Sequence, residues 1–396
     1  METYELKHST RPFGLYNAAN LCYLNSLVQS LLSLPAFVKV LLDHADEFRA
    51  ANSELGMRLL EFCGQYGVDD EFLNSTDVDR FRRVQNGTTA PILRAIQKSR
   101  AGKTTFRTFS QEDAQEGFKF IIEILDEELK SLGSDKEIFK DIFAIRHKQR
   151  IRCSKCGHDR TIDRESCPEE IIQNMSEVDP LLQKSLDTQK NIEDHIKISL
   201  QIPDDYRCEK CNVQNNIKNK QLFVRQYYTL ARISSVIVLS FHYNHHAMRS
   251  GYAKRTSWFP QKLEFVDKNG RDLVYKVVSQ IEHSGSLRGG HYTANCLRPL
   301  PPGYVDTSLT KAQEALAEIS TRLKTAREMR NEPRIASLEK KYDVLMDIIR
   351  DSKRRLTSNN IFDKTGVWRF NDRTITYERN GFQPSDGTYL VFYHLV

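Results

Sequence analysis

Apolar residues at Leu24, Leu27, Val28, Leu31 and Leu32 fall in steps of three and four, which predicts a buried-face helix ending near Pro35. Phe118, Ile121, Ile122 and Leu125 repeat the spacing and predict a second helix continuing an acidic segment at 111–116. From residue 142 the pattern shortens to strands, expected at 145–152 and 221–228, with a polar, helix-leaning stretch at 161–201 between them. The run Ser235-Val236-Ile237-Val238-Leu239-Ser240-Phe241 predicts a strand buried on both faces. Helical spacing returns at Leu316, Ile319, Leu323 and Ala326, and again at Ile335, Leu338, Tyr342, Leu345 and Ile349. Asn331-Glu332-Pro333 interrupts it, so residues 307–356 are expected to form two antiparallel helices paired along heptad-like seams.

Composition narrows the class. Of 396 residues 39% are hydrophobic and 28% charged, which suits a packed core and excludes a disordered tail. No run approaches the roughly 20 apolar residues of a membrane span. The start Met1-Glu2-Thr3-Tyr4-Glu5 lacks the basic-then-apolar order of a secretion signal. A soluble intracellular protein is expected, in cytoplasm or nucleus, or in a host cell for a pathogen's chain. Its 58 basic and 52 acidic residues give +6, too mild for a nucleic-acid footprint. The hairpin region 307–356 holds 12 basic and 8 acidic residues, so +4 of that charge sits there.

Eight cysteines in a long chain of this kind point to metal ligands, a nucleophile and buried thiols rather than disulfides. Cys153-Ser154-Lys155-Cys156 and Cys208-Glu209-Lys210-Cys211 are two Cys-x-x-Cys pairs separated by 51 residues. Gly157 and Asn212, directly after them, are the residue types that best tolerate a left-handed backbone. Two such knuckles complete a closed tetrahedral site, so Cys153, Cys156, Cys208 and Cys211 are expected to bind one structural Zn2+. His158 and Cys167 are near enough in sequence to substitute but read as bystanders; Cys63 and Cys296 read as spare thiols.

Cys22 precedes the first predicted helix, with Asn20 as its expected cap. In a first turn the free amides and the helix dipole favour a thiolate. Alone, such a thiol reads as a buried structural cysteine. Its partners change that. His283-Ser284-Gly285-Ser286-Leu287-Arg288-Gly289-Gly290-His291-Tyr292 sets a histidine after a glycine-rich turn, and Val367-Trp368-Arg369-Phe370-Asn371-Asp372 offers a polar group on another expected strand. A cysteine protease needs a base beside the thiol and a third group that orients it.

Taken in order, these segments resemble the ubiquitin-specific proteases, a family of cysteine deubiquitinases. Residues 14–29 are similar to the family's cysteine box. Gln111-Glu112-Asp113-Ala114-Gln115-Glu116 is similar to its Gln-x-Asp-x-x-Glu helix, and the knuckles fall where its fingers carry zinc. His291-Tyr292, Asn371-Asp372 and Gly387-Thr388-Tyr389-Leu390-Val391-Phe392-Tyr393 match its histidine box and closing strand. The resemblance implies an α+β, papain-like fold of thumb, palm and fingers with a zinc ribbon. It sets the thumb at 1–138, the zinc-binding fingers at 139–228, the palm at 229–306 and 357–396, and the hairpin at 307–356 as an insertion. It implies hydrolysis of the isopeptide bond after ubiquitin's last glycine, with Cys22 as nucleophile, His291 as base and Asn371 as orienting group. Asp372 assists or substitutes, and Asn17 donates to the oxyanion. Asp113, supported by Gln111, would pair with an arginine of ubiquitin's tail, and Gly289, Gly290 and Tyr292 would line its diglycine. Ubiquitin and ubiquitinated proteins are the implied partners, with a protein partner for the hairpin as a further option. The basic loop between residues 243 and 260, with Arg249, Lys254 and Arg255, resembles one that moves over the tail.

Ala19, Leu21 and Gly117 depart from the family's usual glycine, threonine and aromatic residue. Alanine strains the turn before Cys22 by about 1 kcal/mol if it needs positive φ, and glycine weakens a helix interior by about as much. The alternatives from the sequence are a protease for another diglycine-ended modifier, and a weak or inactive ubiquitin-binding scaffold using the hairpin. A zinc-ribbon nucleic-acid binder is disfavoured by the mild charge.

Overall fold

The computed structural model describes residues 4–17, 20–75, 87–99, 112–131, 133, 136–162, 169–175, 207–216, 221, 223–241, 258–266, 270–286, 289–300, 302–357 and 360–396. Ala19, Gln111, Cys167, most of the 161–201 stretch and the basic loop with Arg249, Lys254 and Arg255 lie outside the described residues, and the described parts of that stretch carry short strands rather than the helix expected there. No single helix among the described residues is long and apolar enough to cross a membrane.

The amino-terminal part is helical, with α1 (Cys22–Leu31), α2 (Pro35–Asp43), α3 (Ala45–Ala50), α4 (Glu54–Tyr66), α5 (Asp70–Asn74), α6 (Ala90–Lys98), α7 (Ala114–Lys130) and α8 (Ile138–Phe143). A short parallel pair, β1 (Leu15–Tyr16) and β2 (Gly87–Thr88), joins the segment before α1 to the segment before α6. Helix α1 is buried along its whole length even though it carries Asn25, Ser26, Gln29 and Ser30. Buried polar groups need partners, and these find them: Gln29 Nε2 donates to the Phe13 carbonyl at 2.6 Å and Ser30 Oγ to the Ser26 carbonyl at 2.9 Å. A Cβ at Gly117 would lie 2.9 Å from Leu27 Cδ1, so the glycine lets α7 close on α1. The penalty expected for a helix-interior glycine is offset by that close packing.

The first strands are β3 (Ile145–Cys153), β4 (Asp159–Ile162), β5 (Glu169–Glu170), β6 (Gln173–Asn174), β7 (Val224–Arg232) and β8 (Val236–Ser240). They are followed by β9 (Lys262–Val266), β10 (Asp272–Ser286), β11 (Gly289–Pro299), β12 (Thr365–Asn371), β13 (Thr374–Tyr377) and β14 (Thr388–Leu395). The strand expected at 221–228 thus runs a few residues later. A small sheet pairs β3 with β4, β5 and β7. The main sheet has the order β13-β12-β11-β10-β14-β8-β6, with β9 against β10. Short links from β5 to β6 and from β7 to β8 hang the small sheet on the β6–β8 edge, while the β12–β13 turn occupies the opposite edge. One face of the main sheet packs on the helices through Ile281, Tyr292, Ala294, Trp368, Phe370 and Leu390, and Leu239, Val277, Val391 and Tyr393 belong to a second core cluster.

Arg298 of β11 fastens helix to sheet. It is fully buried, and its guanidinium donates to the Gln29 carbonyl (2.9 Å), Gln29 Oε1 (2.8 Å), the Leu297 carbonyl (3.1 Å) and Ser33 Oγ, 5.1 Å from the centre of the Phe370 ring. A cation at these last carbonyls also complements the negative end of α1.

The expected hairpin is present and longer than 307–356: α9 (Pro302–Glu328) and α10 (Glu332–Thr357) pack through Leu323, Ala326 and Leu338, with Ile319 and Ile335 against them. The break falls at Met329 to Asn331, where Arg330 takes φ 51°. Pro333 sits in the first turn of α10, where no N–H is needed, so it helps to start that helix. At the hairpin's base Pro299 still pairs with Thr365 and the Leu300 N–H donates to the Lys364 carbonyl at 3.0 Å.

Candidate active site

Cys22 opens α1 and is 3% exposed. The cap is not the expected one. Leu21 occupies the N-cap position without a side-chain bond of its own, and Asn20 takes φ 57°, the left-handed region asparagine tolerates. Asn17 supplies the oxygen instead, its Oδ1 accepting the Leu21 N–H at 2.7 Å. The thiol also departs from expectation. Burial pushes it above its ordinary value, although the backbone N–H groups of Tyr292, Tyr23 and Cys22 itself pull the other way. Desolvation outweighs the helix terminus because the sulfur is nearly closed off from water.

The Tyr292 amide at the sulfur brings β11, and so His291, to the start of α1. His291 Nε2 lies 2.7 Å from Asn371 Oδ1 and 3.9 Å from Asp372 Oδ2. With Nε2–H donating to Asn371, the other ring nitrogen, Nδ1, is the acceptor of the neutral ring. Asp372, at φ 51° in the β12–β13 turn, is occupied elsewhere. Its Oδ2 accepts the Asn17 amide at 3.0 Å, its Oδ1 accepts the Asn25 amide at 2.8 Å, and its carbonyl accepts the Leu15 N–H at 2.9 Å. Asn25 Oδ1 in turn accepts from the Thr89 hydroxyl at 2.6 Å. Sequence reasoning missed Asn25 and Thr89. The available signal was a polar residue one helical turn after Cys22, in a helix otherwise read as apolar on that side.

On the other side of Cys22 stands an aromatic group. The Tyr292 ring lies 4.5 Å from His283 and 5.6 Å from Tyr389, centre to centre. The Tyr389 hydroxyl donates to Asp113 Oδ2. Asp113 Oδ1 caps α7, accepting the N–H groups of Gln115 (2.7 Å) and Glu116 (3.1 Å). Both oxygens of the residue expected to meet a substrate arginine therefore serve the fold first. Gly290 is likewise explained within the sheet: a Cβ there would lie 2.3 Å from His283 Nε2 and 2.4 Å from the Ser284 carbonyl. Gly289 is exposed beside it.

The four expected metal ligands converge in the small sheet. All four Sγ atoms of Cys153, Cys156, Cys208 and Cys211 lie within 4.8 Å of one another, with Cys153 to Cys211 at 3.7 Å and Cys156 to Cys208 at 3.6 Å. A tetrahedron of sulfurs about 2.3 Å from a centre has edges of about 3.8 Å, so the set suits a metal ion. Gly157 (φ 70°) and Asn212 (φ 54°) turn the two knuckles in the left-handed conformation read from the sequence. Cys63 and Cys296 are free and buried.

The sequence profile of the ubiquitin carboxyl-terminal hydrolases matches residues 13–326. The chain belongs to this family. Ubiquitin carboxyl-terminal hydrolase 8 of Saccharomyces cerevisiae is 25% identical over 321 residues, covering 72% of this chain and 63% of that protein. Ubiquitin carboxyl-terminal hydrolase 30 of Xenopus tropicalis is 30% identical over 124 residues, 29% of this chain, and hydrolase 13 of Mus musculus is 28% identical over 167 residues, 38% of this chain. These matches span 21% and 18% of the length of those two relatives. Among solved structures, the SAGA Ubp8/Sgf11/Sus1/Sgf73 DUB module bound to ubiquitin aldehyde superposes with a TM-score of 0.56 at 16% identity, over 100% of this chain and 72% of that one. At that identity the likeness shows the fold, the α+β hand-like fold of ubiquitin-specific proteases.

Proposed function

We propose that this hydrolase-family chain is a thiol-dependent deubiquitinase that cuts the isopeptide bond after ubiquitin's terminal glycine. The observation that carries the reading is the junction of α1, β11 and β12, where the Tyr292 amide meets the Cys22 sulfur and His291 Nε2 meets Asn371. In this reading the helices are the thumb, the small sheet is the fingers and the main sheet is the palm. The tail of ubiquitin enters between α7 and β14, past Tyr292, Tyr389 and Asp113.

Because burial keeps the resting thiol protonated, attack is coupled to proton transfer. Cys22 Sγ bonds to the carbonyl carbon as His291 Nδ1 takes the thiol proton, and Asn371 holds the imidazolium through Nε2. Asn17 spends one amide hydrogen on Asp372, and its second N–H serves the oxyanion. Collapse breaks the C–N bond, and the lysine amine leaves with the proton from His291. Water, deprotonated by His291, then hydrolyses the thioester and restores the thiol. Zn2+ held by Cys153, Cys156, Cys208 and Cys211 is structural, since four thiolates leave no open position. Cys208→Ser is expected to lower thermal midpoint and metal content together, read by calorimetry and elemental analysis; a metal-free protein of unchanged midpoint would refute it.

The deciding test is labelling with ubiquitin bearing a thiol-reactive group at its carboxyl end, alongside other diglycine-ended modifiers. A Cys22 adduct with ubiquitin that is lost in Cys22→Ala is expected. An inert Cys22 would overturn the reading in favour of a scaffold, and a stronger reaction with another modifier would change the substrate.

A further inference from the structure

The catalytic junction has two flanks, and the order of the main sheet tells them apart. His291 lies on β11. On one side follow β10, β14, β8 and β6, with the small sheet attached at the β6–β8 edge. On the other side follow β12 and β13, joined by the two-residue turn Asp372-Arg373, since Asn371 pairs directly with Thr374. If the fingers hold ubiquitin's body, its tail crosses β14 and β10 to reach Cys22, and the leaving polypeptide departs over the β12–β13 turn.

That turn carries an exposed cation, Arg373. Arg373 is exposed, and among the described residues it makes no hydrogen bond and no ion pair. Its guanidinium lies 4.1 Å from the centre of the Tyr16 ring, and Tyr16 is 43% exposed. Two backbone restraints hold the pair together. The Leu15 N–H donates to the Asp372 carbonyl, and β1 pairs with β2 on the other side of Tyr16. Asp372, the nearest carboxylate in sequence, is spent on the amides of Asn17 and Asn25. A guanidinium centred over an aromatic ring keeps N–H groups for a carboxylate, and the ring limits the side-chain freedom that such a contact would otherwise cost.

We infer that Tyr16 and Arg373 form a subsite for the leaving polypeptide, one that favours an acidic side chain next to the lysine being released; this rests on the isopeptidase reading above. It adds a preference about the substrate's own sequence to a site otherwise defined by the ubiquitin tail. The subsite acts on binding and orientation of the leaving side and takes no part in proton transfer.

The test uses the full chain and ubiquitin joined by an isopeptide bond to short peptides whose lysine is flanked by aspartate, asparagine or lysine. The readout is the ratio of kcat/KM between aspartate-flanked and lysine-flanked substrates. For the wild type a ratio of about fivefold is expected, the size of a good exposed charge contact. It should shrink toward one at about 0.5 M salt, where charges are screened within a few ångströms. Arg373→Gln should flatten the ratio, Arg373→Glu invert it, Tyr16→Ala weaken it and Tyr16→Phe keep it. A general loss of catalysis lowers both rates and leaves the ratio alone. If the wild type cuts all three peptides at equal rates, or if Arg373→Glu keeps the wild-type ratio, the subsite is refuted and the isopeptidase reading stands. If the wild type cuts none of them and Cys22 takes no ubiquitin adduct, both fall together.

Discussion

Asn371 and Asp372 are adjacent in the chain and do different things. Asn371 reaches the His291 ring, whereas Asp372 gathers the amides of Asn17 and Asn25 and so fixes the turn before Cys22 to the end of β12. Removing the carboxylate leaves the Asn17 side chain held only through Oδ1 at the Leu21 N–H, so its amide N–H groups lose their fixed direction. Asp372→Ala is therefore expected to lower kcat on a ubiquitin amide by about 100-fold with little change in KM, as does loss of an oxyanion donor. Asn17→Ala should match it, and the double variant should be no worse than either single one, because the two residues act as a unit. Steady-state kinetics checks this; additive losses would show that Asp372 works independently of Asn17. Tertiary contacts add to two residue-level readings from the sequence. The lowered thiol at Cys22 was inferred from its place at a helix start, whereas burial governs it, and Asp113, expected to pair with an arginine of ubiquitin's tail, also accepts the Tyr389 hydroxyl and the α7 amides.

At the scale of elements, α1 and α2 are tied to the main sheet by two buried polar residues. Arg298 holds the end of α1, and His394 of β14 holds the start of α2, its Nε2 accepting the Ala36 N–H at 3.1 Å while Nδ1–H donates to the Leu395 carbonyl at 2.7 Å. That geometry requires a neutral ring. Burial lowers His394 from 6.5 to about 4. Between those values the unfolded chain binds the proton and the folded one does not, so stability is complete above pH 6.5, falls as pH drops toward about 4, and then levels off. The loss is expected to reach about 3 kcal/mol. Denaturant unfolding across that range should show the slope, and His394→Gln should flatten it. None of this was visible in the sequence, where His394 falls after the closing strand motif and Arg298 belongs to no motif.

At the scale of the whole molecule the hairpin is a side branch. The strands on either side of it, β11 and β12, pair through Pro299 and Thr365 as if nothing lay between, so replacing residues 302–357 by a short flexible link closes a gap already spanned by the sheet. Such a deletion is expected to keep thermal stability and cleavage of a ubiquitin amide near wild type. A collapse of either would show that the hairpin supports the core or the substrate. What the sequence determined by itself is whatever depends on local period and spacing. Helical and strand periodicity specified α1, α7, β8 and the hairpin; the two Cys-x-x-Cys pairs, with Gly157 and Asn212 behind them, pointed to the four-sulfur cluster; and the order of Cys22, His291 and Asn371 pointed to the proposed reactive set. Only the tertiary structure decided which polar atoms meet across long separations: Asn17 and Asn25 with Asp372, Tyr389 with Asp113, Arg298 with the end of α1. Those contacts arise because a helix and a sheet far apart in sequence share one buried boundary. There each polar group must find a partner or pay for its desolvation, and no local pattern specifies which partner it finds.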